Sequence, residues 1–366
     1  MKVGVVRETK TNEYRVGLLP VGVQLLVQDG HELWVETGAG SGAGFSDADY
    51  ERAGARIASR AREVFDGVEL LVKVKEPQPA EIEQLGPHHT VFGYFHFSGS
   101  RSLTQRCLER GFTALAYETL EDEGRGLPLL MPMSEIAGRL SIQAGAKHLE
   151  QPQGGRGTLL AGVPGVPPAN VVIVGGGVVG SNAARIAAGA GANVQVLDVD
   201  LATLRRLEST LPANVSTLYC DPHSLAGALC LADLVVGAVL LRGRAAPKLI
   251  QRQHLETMKR GSVLVDVSID QGGCSETARP TTHSAPTYVE RGVVHYCVAN
   301  MPAAVGYTST RALCNATLPY VRRLARLGPS AFLAIDEGYG KASNLQSGRI
   351  TNADVAATFP DLPHGL

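Results

Sequence analysis

Short β-branched apolar runs recur along this chain, and between them lie stretches whose apolar positions return every three or four residues. Runs at 2–6, 32–36, 69–75, 91–95 and 113–117 predict strands, and segments 21–29, 47–55 and 102–110 predict helices. The same alternation resumes at 171–198 and continues through apolar runs at 232–239, 262–267 and 293–298, with crossovers at 201–211 and 253–259. Strands alternating with helices imply parallel, doubly wound sheets. A helix is expected at 134–150, capped by Ser134, and another at 308–327, capped by Thr308 or Ser309 and kinked at Pro319. Residues 153–170, rich in Gly and Pro, read as a loop feeding the strand that follows.

That strand opens the most specific motif. VVIVGGGVVGSNAARIAAGAGANVQVLD, residues 171–198, joins a strand, a G-x-G-x-x-G turn, an Ala-rich helix and a second strand ending on an acid. Gly175 permits a tight turn, Gly177 lets backbone approach a pyrophosphate, and Gly180 lets the helix pack close to its strand. The helix N-terminus favours phosphate. Asp198 suits the hydroxyls of an adenine ribose and repels a 2′-phosphate, so NAD is expected over NADP.

The chain of 366 residues, 44% hydrophobic and 19% charged, is long enough for two cores. A net charge of −1 supplies no basic footprint for nucleic acid. The N-terminus shows no apolar signal core and no apolar run spans a membrane, so a cytoplasmic protein is expected. Six scattered cysteines without a C-x-x-C read as reduced thiols, with no metal site expected.

Ligands of open α/β sheets bind at the carboxyl ends of strands, and candidate chemistry lies there. Lys73 and Lys75 in LLVKVKEP share one face if the strand continues. Lys73 is expected on a solvated face and Lys75, nearer the strand end, at an anion site. Arg15 can hold a carboxylate bidentately, although taken alone it is expected to be an exposed structural arginine. His96 ends an apolar run and can move a proton near neutral pH. Asp270, before two glycines, can assist acid–base steps, and Asn300 follows another strand. Together Arg15, Lys75, His96 and Asp270 suit oxidation of an amino acid.

MKVGVVRETKTNEYRVGLLP, LLVKVKEP, PMSEIAGRLSIQAGAKHL, GGRGTLLAGVPGV, VLVDVSIDQGGC and CVANMPAAV resemble the alanine dehydrogenases, a branch shared with the first domain of proton-translocating nicotinamide nucleotide transhydrogenase. The resemblance covers roughly residues 1–330. It implies reversible, NAD-dependent conversion of L-alanine and water to pyruvate and ammonium. Arg15 and Lys75 would bind the substrate carboxylate. His96 and Asp270 would be catalytic. Ser134, Gly175, Gly177, Val178, Val179, Gly180, Asp198, Cys220, Val239, Leu240, Ile269, Asp270, Arg279, Val298, Asn300 and Met301 would line the cofactor site. Two Rossmann-like doubly wound domains with a cleft between them are expected. The catalytic domain is discontinuous, 1–128 and 307–366, around an NAD domain at 129–306. Many family members are homohexamers.

Departures from the family pattern stand at Thr203, Cys220, Phe97, Gly306 and Tyr307, and Phe97 and Tyr307 are expected to reshape the pocket wall. These leave two alternatives open: a dehydrogenase of another small amino or oxo acid, or a transhydrogenase-like NAD-binding subunit with a membrane partner. A catalytically silent NAD binder is a further one.

Overall fold

The computed structural model describes residues 1–122, 126–239 and 246–365. The chain forms two compact units, Met1–Met133 with Ala303–Leu366, and Ser134–Pro302. Among the described residues, fifteen strands are numbered in chain order. They are β1 Lys2–Val5, β2 Glu32–Glu36, β3 Arg56–Ala58, β4 Leu70–Val72, β5 Thr90–Gly93, β6 Thr113–Ala116, β7 Asn170–Val174 and β8 Asn193–Asp198. There follow β9 Val215–Tyr219, β10 Leu234–Gly237, β11 Val263–Asp266, β12 Thr287–Glu290, β13 Val293–Tyr296, β14 Ser343–Gln346 and β15 Arg349–Ile350.

The first unit holds an eight-stranded sheet in the order β15-β14-β6-β5-β4-β1-β2-β3. From β6 to β3 every pairing is parallel, and the two strands from the chain end add antiparallel. Its central strands are apolar on both faces because helices cover both. Phe65, Val91, Phe95, Phe97, Phe112 and Leu345 belong to one buried cluster of this unit.

The second unit holds a seven-stranded sheet, β12-β13-β11-β10-β7-β8-β9, parallel except for the β12 edge. Ala183, Ala184 and Ala187 of the helix Val178–Gly189 are fully buried, and their small side chains let that helix lie close on β7 and β8.

Several expectations change. The strand expected at 69–75 ends at Val72, so period-two alternation does not govern the lysines beyond it. Lys73 is not on a solvated face: it is 1% exposed and paired with Glu8 and Glu81. A buried ammonium requires such partners. Ser134 is not a helix cap, because the helix starts at Met131 and Ser134 lies inside its first turns. The later helix is Gly306–Leu327, capped from Val305 without a side-chain hydrogen bond, so neither Thr308 nor Ser309 caps it. Phe97 is not a pocket wall: it is buried and stacked on Phe95 at 4.7 Å between ring centroids.

Candidate active site

Parallel strands align their carboxyl ends, so residues that follow neighbouring strands gather along one edge of the sheet. In the first unit, Glu8, Glu13 and Arg15 follow β1, Lys73 and Lys75 follow β4, Tyr94 and His96 follow β5, and Glu118 follows β6. These four strands are consecutive neighbours in the sheet. That adjacency collects residues scattered over more than a hundred positions of sequence.

Arg15 is 2% exposed, and Glu13 grips it bidentately, with Nε donating to Oε1 at 2.6 Å and Nη2 to Oε2 at 2.5 Å. Nη1 points to Met133 Sδ at 3.0 Å. Burial alone would lower the guanidinium's pKa, but Glu13's hydrogen bonds and charge outweigh it and the net direction is up. The fork is therefore a fixed, permanent cation.

Tyr94 joins the remaining groups. Its ring lies parallel to the His96 imidazole with centroids 5.9 Å apart, and Lys75 Nζ sits 5.8 Å from the same ring. Its hydroxyl donates to Leu129 O at 2.5 Å and interacts electrostatically with Arg15. Arg15, Lys75 and His96 are thus brought together around one buried phenol.

His96 has a left-handed backbone, φ 51°, a conformation that costs a non-glycine residue of order 1 kcal/mol. Glu118 holds it there: Oε1 accepts the N–H of His96 at 2.6 Å and that of Phe95 at 3.2 Å. The imidazole is 47% exposed, with Nδ1 4.0 Å from Glu118.

The second unit follows the same rule. The glycine turn follows β7, Asp198 ends β8, Cys220 follows β9, Val239 follows β10, Ile269 and Asp270 follow β11, and Val298, Asn300 and Met301 follow β13. Gly175 has φ 104°, and a Cβ there would lie 2.5 Å from Ala238 O. A Cβ on Gly180 would lie 1.8 Å from Gly175 O, so the helix could not start where it does. A Cβ on Gly177 would meet nothing within 4 Å, which leaves an open cradle beside a helix N-terminus without a capping side chain. These are the features a dinucleotide pyrophosphate requires, and the residues fit it.

Asp198 also ties the turn to β8, with Oδ2 accepting Gly176 N–H at 2.6 Å and Oδ1 accepting Asp200 N–H at 2.9 Å. The Cys220 thiol, half-buried, is pushed up by burial and then by Asp198. Asp270 is exposed and does not bond its own turn. Its Oδ1 accepts Asn300 N–H at 3.2 Å, which brings these two candidates together across β11 and β13. Ile269, Val298 and Met301 are buried beneath. Arg279 is exposed and stacks on Tyr288 at 4.0 Å. Val178 is exposed, Val179 and Ser134 are partly so, and Leu240 lies outside the described residues.

Five residues escaped the sequence reading: Glu8, Glu13, Tyr94, Glu118 and the buried Asp266. Asp266 accepts N–H groups of Ser268, Cys274 and Ser275, and so shapes the loop that carries Asp270. Carboxylates in polar loops are ordinarily solvated, so only their position after apolar strands signals Glu8, Glu13 and Glu118, whereas Tyr94 and Asp266 lie within apolar runs that read as core.

Two mainly parallel sheets, one carrying a glycine-turn nucleotide site and the other a cluster of cationic side chains at its strand ends, define an α/β oxidoreductase of the Rossmann-like class. The N-terminal domain model of alanine dehydrogenase/PNT matches residues 4–137 and the C-terminal domain model matches 141–353, so the chain belongs to the alanine dehydrogenase/PNT family. An alanine dehydrogenase of Halomonas elongata is 52% identical over 359 residues, covering 98% of this chain and 97% of that protein. One from Mycobacterium tuberculosis is 47% identical over 356 residues, covering 97% and 96%. A solved L-alanine dehydrogenase superposes with a TM-score of 0.94 at 50% identity, covering 99% of each chain. A transhydrogenase structure from Sinorhizobium meliloti, 22% identical with a TM-score of 0.81, shares the fold.

Proposed function

We propose that this chain catalyses the reversible, NAD-dependent oxidative deamination of L-alanine to pyruvate and ammonium. Membership of the family, with full-length relatives that are alanine dehydrogenases, makes it an amino-acid dehydrogenase that uses a nicotinamide nucleotide. The observation that carries the residue assignments is the gathering of Arg15, Lys75 and His96 around Tyr94 at the carboxyl ends of adjacent strands.

Arg15, pre-oriented by Glu13, and Lys75 bind the substrate carboxylate. His96 takes a proton as the amine is oxidised to the imine and returns it in reverse. Asp270 assists the addition of water and the loss of ammonia. Gly175, Gly177, Val178, Val179 and Gly180 cradle the pyrophosphate, and Asp198 takes the ribose hydroxyls. Ser134, Cys220, Val239, Leu240, Ile269, Arg279, Val298, Asn300 and Met301 complete the cofactor contacts. When bound, NAD supplies the hydride acceptor. Preference for NAD over NADP rests on Asp198, whose charge disfavours a 2′-phosphate.

The chemistry needs no metal and no nucleic acid. Among the described residues no helix is long and apolar enough to cross a membrane. A cytoplasmic location and a homohexamer belong to the same proposal, and the hexamer rests on the resemblance alone.

The test is NADH consumption with ammonium and a panel of 2-oxo acids. Ammonium-dependent turnover fastest with pyruvate is expected. Bound NADH without turnover of pyruvate overturns the reading.

A further inference from the structure

Glu8 takes no part in the chemistry above, yet it is buried against the segment that carries Lys75. Oε1 accepts Val74 N–H at 2.7 Å, and Oε2 faces both Lys75 N–H and Lys73 Nζ at 3.4 Å. Lys73 is closer to Glu81, at 2.9 Å, and Glu81 is itself fixed by Gln78 N–H at 2.7 Å. Two carboxylates therefore share one ammonium in a buried site. Among the described residues, the titratable groups facing Glu8 are Lys73, Glu81, Glu13, Arg15 and the Tyr117 phenol. Burial is the largest influence on Glu8 and pushes its carboxyl up to about 7; Lys73 opposes, while Glu81 and Glu13 add to the rise.

A further anion placed against Arg15 and Lys75 acts on Glu8 as Glu13 and Glu81 already do, disfavouring its ionised form. Resting on the assignment of Arg15 and Lys75 to the substrate carboxylate, we propose that Glu8 is a proton-linked positioning residue for that carboxylate. When the carboxylate binds, Glu8 takes one proton from water on Oε2, the oxygen with the longer contacts. Oε1 keeps its hold on Val74 N–H, so the loop carrying Lys75 stays in place while the added negative charge is balanced. By linkage, a ligand that raises a group's pKa binds more weakly as pH rises through that group's value in the free protein. Oxo-acid binding therefore weakens by up to about tenfold per pH unit above neutral.

The experiment measures the Kd of pyruvate for the NADH-loaded enzyme, without ammonium, by NADH fluorescence from about pH 6 to about pH 9. It compares the wild type with Glu8→Gln, Lys73→Met and Lys75→Met. Glu8→Gln is expected to flatten the alkaline limb by about tenfold or more across that range, whatever His96 contributes, since His96 is common to both proteins. Lys73→Met, which removes the opposing cation, is expected to move the limb to higher pH. A wild-type limb in Glu8→Gln overturns the proposal. If Glu8→Gln does not fold, an unmoved limb in Lys73→Met overturns it instead. Lys75→Met separates the two levels: an unchanged Kd there sinks the substrate-site assignment. A weakened Kd in Lys75→Met beside an unaltered Glu8→Gln limb sinks the role of Glu8 alone.

Discussion

At the scale of single residues, the cationic pair proposed for the substrate carboxylate is held by anions. Arg15 is fixed by Glu13, the Lys75 backbone by Glu8, and the His96 backbone by Glu118. Pre-oriented groups lose little freedom when substrate arrives. The exposed Asp270 accepts Asn300 N–H on Oδ1, which suits the acid–base role proposed for its second oxygen. Asp270→Asn is accordingly expected to lower kcat by about a hundredfold or more with an unchanged circular dichroism spectrum. Near-normal kcat would remove its chemical role. Asp198→Ala is expected to weaken NAD and to narrow the preference over NADP, read by titrating each cofactor. Because Asp198 also accepts Gly176 N–H, part of the weakening reflects a loosened turn. Glu8 further makes stability depend on pH. Its carboxyl is raised from 4.5 to about 7, so the folded protein keeps a proton that the unfolded chain has lost. That contribution is full below about 4.5 and disappears as pH rises through about 7. The Tm advantage of the wild type over Glu8→Gln should shrink between these two values; a constant gap would contradict the raised carboxyl.

Elements explain why those residues meet. Arg15, Lys75, His96, Asp270 and Asn300 lie in segments that follow parallel strands, where the backbone leaves the sheet. The turn after β7 shows how closely this is specified. Gly180→Ala drives a Cβ to 1.8 Å from Gly175 O, so the helix Val178–Gly189 must shift. A loss of about 1–3 kcal/mol is expected, seen as a lower Tm together with weaker NADH binding. Gly177→Ala meets nothing in the protein, so it should leave Tm nearly unchanged and weaken only the cofactor. Equal NADH affinity in that variant would put the pyrophosphate elsewhere. Phe97 belongs to the core beneath the strand ends, and Phe97→Ala should cost about 3–5 kcal/mol of stability. At the start of the long helix, Gly306 lies against Tyr14, where a Cβ would come within 2.8 Å of its Cβ. Tyr307 is 62% exposed and carries the Arg311 guanidinium 3.5 Å from its ring. The departure at 306 and 307 is thus a local packing change beside the Arg15 loop.

For the molecule as a whole, both sheets bury apolar strands under helices and present polar loops at strand ends, and each unit has its own core. The chain enters the second unit after Met133 and returns to the first at Ala303. The last two strands, β14 and β15, come from a Gly-rich, polar tail that carries little apolar pattern, and β14 pairs with β6 across more than two hundred residues. Sedimentation of the purified protein tests the assembly: a hexameric mass is expected, and a stable monomer would contradict it.

The glycine turn, Asp198 and the alternation of strands and helices were legible in the amino-acid sequence, because each depends on neighbours within a few dozen residues. So were Arg15, Lys75, His96 and Asp270 as candidates, since polar residues after apolar runs mark strand ends. The strand order, the burial of Lys73 and the carboxylates that hold the site were decided by tertiary structure alone. A strand's neighbours are set by long-range pairing, and whether a charged side chain is solvated or enclosed depends on what the rest of the chain packs against it.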